Sequence, residues 1–67
     1  MELKIRDDHI KLGQALKAAG LVENGGEAKE VIQAGEVRVN GEVDTRRGRK
    51  CLPGDVVEYR GETVQIR

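Results

Sequence analysis

Residues 35–43 read Gly-Glu-Val-Arg-Val-Asn-Gly-Glu-Val and mark the point where the hydrophobic spacing changes from helical to strand-like. Val37 and Val39 alternate with charged residues, and a period of two is typical of a strand with one buried face. Asn40-Gly41 is a strong hairpin signal, because both central residues of a type I′ turn need positive φ. The stretch therefore predicts a hairpin whose valines face a core.

A first helix is predicted upstream, over residues 10–19, where leucine and alanine recur at helical spacing. We expect Asp7-Asp8 to cap its N-terminus, where a carboxylate is favourable, and Gly20 to follow its last turn. Ahead of this helix, apolar and basic residues alternate over positions 3–6 and predict a short strand.

A second helix is predicted to begin after Asn24. Glu27 stands three residues further on, which is the spacing of a capping box. Residues 28–32 carry an apolar stripe, and Gly35 is placed to end the helix.

The rest of the chain predicts strands over residues 56–59 and 64–66, with a type II turn at Pro53-Gly54. The element order is strand, helix, helix and then strands. We therefore expect an α+β fold in which two helices pack on one side of a small antiparallel β-sheet. Residues 1–67 are expected to form a single domain, because a chain of this length builds only one core.

Composition excludes several classes of function. Cys51 is the only cysteine and His9 the only histidine, so neither a disulfide framework nor a zinc cluster is available. The chain contains no serine and no phosphate-binding glycine loop, and no apolar run is long enough to span a bilayer. We expect a soluble, cytoplasmic, monomeric protein that needs no cofactor, contacts no membrane and is not an enzyme.

The basic segment, residues 46–50, reads Arg-Arg-Gly-Arg-Lys within a chain whose formal net charge is zero. Adjacent cations repel one another, and the planar fork of arginine suits phosphate oxygens. A solvated loop, partly neutralised by Glu42 and Asp44, is the other interpretation. Tyr59 is the only aromatic residue, so nucleic-acid binding would depend on phosphate and shape rather than on base stacking.

Candidate nucleic-acid contacts lie on the helices, the hairpin and the basic segment. Arg38 either pairs with neighbouring glutamates or lines the binding face, and Asn40 serves the turn and is also a candidate contact. Lys17 is as consistent with a solvated helix face as with binding. The predicted binding residues are Lys11, Lys29, Arg38, Asn40, Arg46, Arg47, Arg49 and Lys50.

An ordered series of motifs resembles the S4 RNA-binding domain, which is named after a small-subunit ribosomal protein. The series comprises Gly26-Glu27-Ala28-Lys29, Gly35, residues 37–41 and residues 50–56, and the motif core covers about residues 10–57. The resemblance implies that both helices and the hairpin form an L-shaped RNA-binding surface, the αL motif. Residues 12–14 with Gly25-Gly26, together with the basic segment, are more narrowly similar to small stand-alone bacterial proteins of this type.

The chain departs from the family pattern at Asn24-Gly25-Gly26, where a basic residue usually follows the helix cap. This departure shifts the expected phosphate contacts to Lys29 and the basic segment, and it leaves bare backbone N–H groups at a favourable helix terminus. We predict a non-catalytic protein that binds structured RNA, ribosomal or transfer RNA by analogy, with the ribosome as a potential partner. A DNA-binding module and an adaptor for an acidic protein partner stay open. Replacing the three arginines of the basic segment by alanine is expected to abolish most binding and leave the fold intact.

Overall fold

Two helices and seven short strands make up the structure, a computed structural model that describes residues 1–67. Neither helix has the length and apolar character needed to cross a membrane. The elements in chain order are β1 (Glu2–Leu3), β2 (Ile10–Lys11), α1 (Leu12–Ala18), α2 (Gly25–Gln33), β3 (Val37–Val39), β4 (Glu42–Val43), β5 (Lys50–Cys51), β6 (Val56–Tyr59) and β7 (Glu62–Ile66).

The main sheet has five strands in the order β1-β7-β6-β3-β4, and β2 pairs with β5 in a separate two-stranded sheet. Every pair is antiparallel except β1 and β7, which run parallel. The prediction of an antiparallel sheet is wrong for this pair, because alternation reports which face is buried and not the strand direction. The first strand is also shorter than predicted, since its partner β7 ends at Ile66, opposite Leu3.

One face of the main sheet is buried against the helices. Alternate residues of β3, β6 and β7 point to this face and join the apolar sides of α1 and α2 in one core of 14 buried residues. Val37 and Val39 are buried while Arg38 between them is exposed, as the alternation predicts. The prediction of an α+β fold with helices on one side of the sheet is confirmed.

The start of α1 differs from the prediction. The helix begins at Leu12, and Lys11 occupies an extended N-cap position without a capping side-chain hydrogen bond. Asp7-Asp8 does not cap the helix, because the two residues before Leu12 pair with β5 and form β2 instead. Helical spacing placed Ile10 and Lys11 in the first turn of α1, but in the structure these residues pair with β5. The end is as predicted, with Gly20 at a φ of +76°.

The second helix begins and ends as predicted. Asn24 Oδ1 accepts a hydrogen bond from the Glu27 N–H at 2.9 Å, and the Glu27 carboxylate accepts one from the Glu23 N–H at 2.7 Å. This second bond goes to the residue before the cap, so the capping box is displaced by one residue from the usual pattern. Gly35 follows the helix with a φ of +79°, a conformation that a residue without Cβ adopts at little cost.

The Asn40-Gly41 hairpin is confirmed, with φ values of +53° and +85°. The Asn40 side chain also reaches the next turn: its Nδ2 donates to Asp55 Oδ1 at 3.0 Å, and its Oδ1 accepts from the Val56 N–H at 2.9 Å. Hydrogen bonds from the Leu52 N–H and from Asn40 hold the pKa of Asp55 below its ordinary value. These bonds tie the hairpin to the turn that precedes β6.

Candidate nucleic-acid interface

A shallow cleft of about 340 Å³ lies where the starts of α1 and α2 meet the basic segment. Three of its lining side chains are cations, and none is a carboxylate. Positive charge collected in a concave surface raises the local concentration of anions. We call it the cationic cleft, and its lining residues are Lys11, Gly13, Gln14, Lys17, Gly25, Ala28, Arg47 and Gly48.

Backbone hydrogen bonds dock the basic segment against α1. The Leu12 N–H donates to the Arg49 carbonyl at 2.8 Å, and the Gly13 N–H donates to the Arg47 carbonyl at 3.1 Å. The first N–H groups of a helix lack intrahelical partners, so these carbonyls replace the missing side-chain cap. These two main-chain bonds therefore help to hold the basic segment beside the cleft.

Two arginines of the basic segment are paired with Asp44, which is only 8% exposed. Arg46 donates from Nε and Nη2 to the two carboxylate oxygens at 3.1 and 2.8 Å, and Arg49 Nη1 lies 3.4 Å from Oδ2. The side-chain hydrogen bonds from Arg46 hold the pKa of Asp44 below its ordinary value, and the same contact raises the pKa of Arg46. Arg47 has no carboxylate partner, so its charge is available at the cleft.

The start of α2 adds backbone donors beside these side chains. The Gly25 and Gly26 N–H groups form no hydrogen bond within the protein, since the Asn24 side chain caps the Glu27 N–H instead. Apart from its chain neighbours and the backbone of α2 itself, nothing lies within 4 Å of the place where a Cβ on Gly25 would stand, so a ligand can approach this backbone closely. The partial positive charge of a helix N-terminus also favours an anion here.

The sequence profile of the S4 domain matches residues 3–67. The chain belongs to the S4 domain family. RlbA of Bacillus subtilis (strain 168), whose name proposes a role in ribosome maturation, is 49% identical over 59 residues, which span 88% of this chain and 83% of RlbA. YbcJ of Escherichia coli (strain K12), whose name proposes RNA binding, is 40% identical over 58 residues, which span 87% of this chain and 83% of YbcJ.

A solved structure extends this similarity to the fold. The solution structure of E. coli YbcJ matches this S4 domain with a TM-score of 0.74 and 35% identity, covering 97% of this chain and 84% of YbcJ. That structure is described as revealing an αL motif involved in RNA binding. The family and the αL fold expected from the sequence motifs are therefore confirmed.

Two of the eight residues predicted to bind line the cationic cleft, and two more are placed beside it by helix spacing and strand pairing. Lys11 and Arg47 line it, and Lys29 follows Gly25 by four residues, which places both on the same edge of α2. Lys50 stands directly opposite Lys11 in the β2–β5 pair, where like charges repel each other. An anion bound near this pair would relieve that repulsion.

The other predicted residues lie elsewhere. Arg38 is on the exposed face of the main sheet, away from the helices, and its Nη1 donates to a hairpin carbonyl at 3.2 Å rather than pairing with a glutamate. The Asn40 side chain is engaged within the fold, and Arg46 and Arg49 are paired with Asp44. Removing all three arginines of the basic segment would leave a buried carboxylate unpaired, which is strongly unfavourable. That such a variant keeps its fold stays a prediction, and the Asp44 pairs give a physical reason to expect lower stability.

Three lining residues of α1 are absent from the predicted set: Gly13, Gln14 and Lys17. Lys17 follows Gly13 by four residues, so both lie on one edge of the helix. That spacing is visible in the sequence, but the sequence does not show that the basic segment packs beside this edge. From the sequence alone, Lys17 is therefore equally consistent with a solvated face and with a binding face.

Proposed function

We propose that this S4 domain is a non-catalytic module that binds structured RNA, with ribosomal RNA as the favoured class. The observation that carries the proposal is the cationic cleft, where three cations converge with a free backbone N–H and no carboxylate. The similarity to YbcJ, described with an RNA-binding αL motif, supports RNA as the ligand. The name of RlbA supports the ribosomal class.

Binding through this surface depends on phosphate and shape. The cations of the cleft offer charged donors to phosphate oxygens, and Lys29 and Lys50 extend the positive surface on either side. Tyr59, the only aromatic side chain, is buried in the core, so the protein has no aromatic platform for stacking bases. Sequence preference is therefore expected to be weak, and recognition should follow the geometry of the RNA backbone.

The adaptor alternative finds less support in the structure. An acidic protein partner would have to use the basic segment, yet Arg46 and Arg49 are already paired with Asp44. The free cations Lys11, Lys17 and Arg47 line a cleft beside unpaired backbone N–H groups, and this arrangement suits a phosphate more than the carboxylates of a protein partner.

A salt titration of binding to a structured RNA hairpin, with a sequence-matched DNA duplex alongside, tests the proposal. About four to six phosphate contacts predict a plot of log K against log salt with a slope of about −3 to −5. Preferential binding to the RNA with such a slope is the expected result. Equal affinity for the DNA would reduce the site to a general polyanion surface, and no binding to either at low salt would refute the proposal.

Gly13→Ala is expected to weaken RNA binding about three- to tenfold and to lower the stability slightly. A Cβ at this position would stand 2.8 Å from Arg47 Cγ, so the arginine side chain has to shift from its present position at the cleft. Alanine favours a helix over glycine by about 0.5–1 kcal/mol, which offsets part of the cost of moving Cγ, an atom close to the Arg47 backbone. Hairpin affinity and the midpoint of thermal unfolding measure the two effects, and unchanged affinity would show that Arg47 does not contact RNA.

A further inference from the structure

Asp44 is the only charged side chain that is buried, and its carboxylate organises the basic segment. The carboxylate pairs with two arginine side chains, and its Oδ1 also accepts a hydrogen bond from the backbone N–H of Arg46 at 2.9 Å. The Arg49 N–H donates to the Arg46 carbonyl at 3.1 Å, which closes a turn over residues 46–49. The carboxylate thus holds the main chain and two side chains of the segment together.

That turn determines which arginine faces the cleft. Its two ends are held by Asp44, and the carbonyls of Arg47 and Arg49 accept hydrogen bonds from the first N–H groups of α1. Arg47 lies between the two paired arginines, and its side chain packs over Gly13 at the cleft. The segment therefore directs two arginines to Asp44 and one to the cleft.

We propose that Asp44 is a positioning residue for RNA binding, which holds residues 46–49 in the turn that presents Arg47 to the cationic cleft. This inference rests on the proposed function and deepens it. An acidic residue near an RNA site ordinarily weakens binding through repulsion of phosphates. A positioning role predicts the opposite sign, because loss of the carboxylate releases the turn and withdraws Arg47.

Asp44→Asn, compared with Glu42→Gln, separates these two roles. Glu42 is an exposed carboxylate without an ion pair, and it lines a groove between the β3–β4 hairpin and the basic segment that Asp44 also lines. Both variants therefore remove one negative charge from the same region. We expect Asp44→Asn to bind the RNA hairpin about tenfold more weakly, with a salt slope less steep by about 0.7–0.9, the loss of one contact. Glu42→Gln is expected to bind equally or slightly more tightly.

The salt slope distinguishes positioning from a general loss of stability, because a smaller folded fraction lowers the apparent affinity without changing the number of phosphate contacts. Tighter binding by Asp44→Asn with a steeper slope would overturn the inference, because Asp44 would then only mask the charges of Arg46 and Arg49. Absence of RNA binding by the wild-type protein would refute the proposed function itself, which is a separate outcome.

A measurement on the wild-type protein decides the matter if Asp44→Asn does not fold. NMR signals of the arginine Nε–H groups are followed while the RNA hairpin is added. The Arg47 signal is expected to shift strongly, whereas the Arg46 signal stays in place because its Nε–H donates to Asp44 at 3.1 Å before and after binding. An Arg46 shift as large as that of Arg47 would mean that the Asp44 pair opens on binding, and would contradict the inference.

Discussion

Replacing Lys11, Lys17 and Arg47 together by glutamine is expected to weaken binding to a structured RNA hairpin at least about 100-fold at low salt. Each lost hydrogen bond to a charged group removes about 1.5–3 kcal/mol, and three lost contacts make the salt slope less steep by about 2–3. All three side chains line the cationic cleft and none forms an ion pair, so the fold should persist. Fluorescence anisotropy measures the affinity, and circular dichroism verifies the fold.

A matched variant shows whether the position of the charges matters. Lys4, Arg6 and Arg60 are exposed and lie outside the cleft, so replacing them by glutamine removes the same total charge from other parts of the surface. This variant should lose no more than about threefold in affinity, because distant exposed charges are screened by salt. Equal losses in the two variants would show that binding follows net charge and not the cationic cleft.

Ile32→Ala is expected to destabilise the fold by about 2–5 kcal/mol. Ile32 is fully buried on the side of α2 that faces the core, so truncating it removes apolar contacts and leaves a cavity. A chain of this size has a total free energy of unfolding of about 3–10 kcal/mol, so the loss is a large part of the whole. Thermal unfolding followed by circular dichroism should show a Tm lower by at least about 10 °C.

Gln33→Ala is the control for this variant. Gln33 is the next residue of the same helix and is exposed, so its truncation should change the free energy of unfolding by no more than about 0.5 kcal/mol. Similar Tm values for the two variants would mean that Ile32 is not part of the core. If Ile32→Ala binds RNA more weakly at temperatures where it is mostly folded, the packing of the core also affects the geometry of the cationic cleft.

Local signals account for the parts of the fold that were predicted correctly. The Asn40-Gly41 turn and the Asn24 cap of α2 depend on φ preferences and on hydrogen bonds that span a few residues. The predicted start of α1 was wrong, because the first N–H groups of this helix donate to carbonyls of the basic segment, which lies far along the chain. Helical spacing carries no information about such a partner, and strand alternation likewise did not reveal that β1 runs parallel to β7.

The candidate site shows the same division. The sequence itself shows the density of cations in the basic segment and the motifs of the family. Together they predict a phosphate-binding surface that includes the basic segment. Which cations face that surface was decided only by the tertiary structure. Asp44 pairs with two of the arginines, and the main chain of the basic segment is hydrogen-bonded to α1. Lys17 lines the cleft beside Arg47. This arrangement of the cations depends on contacts between residues that are far apart in the chain. Residue types and their local spacing do not specify such contacts.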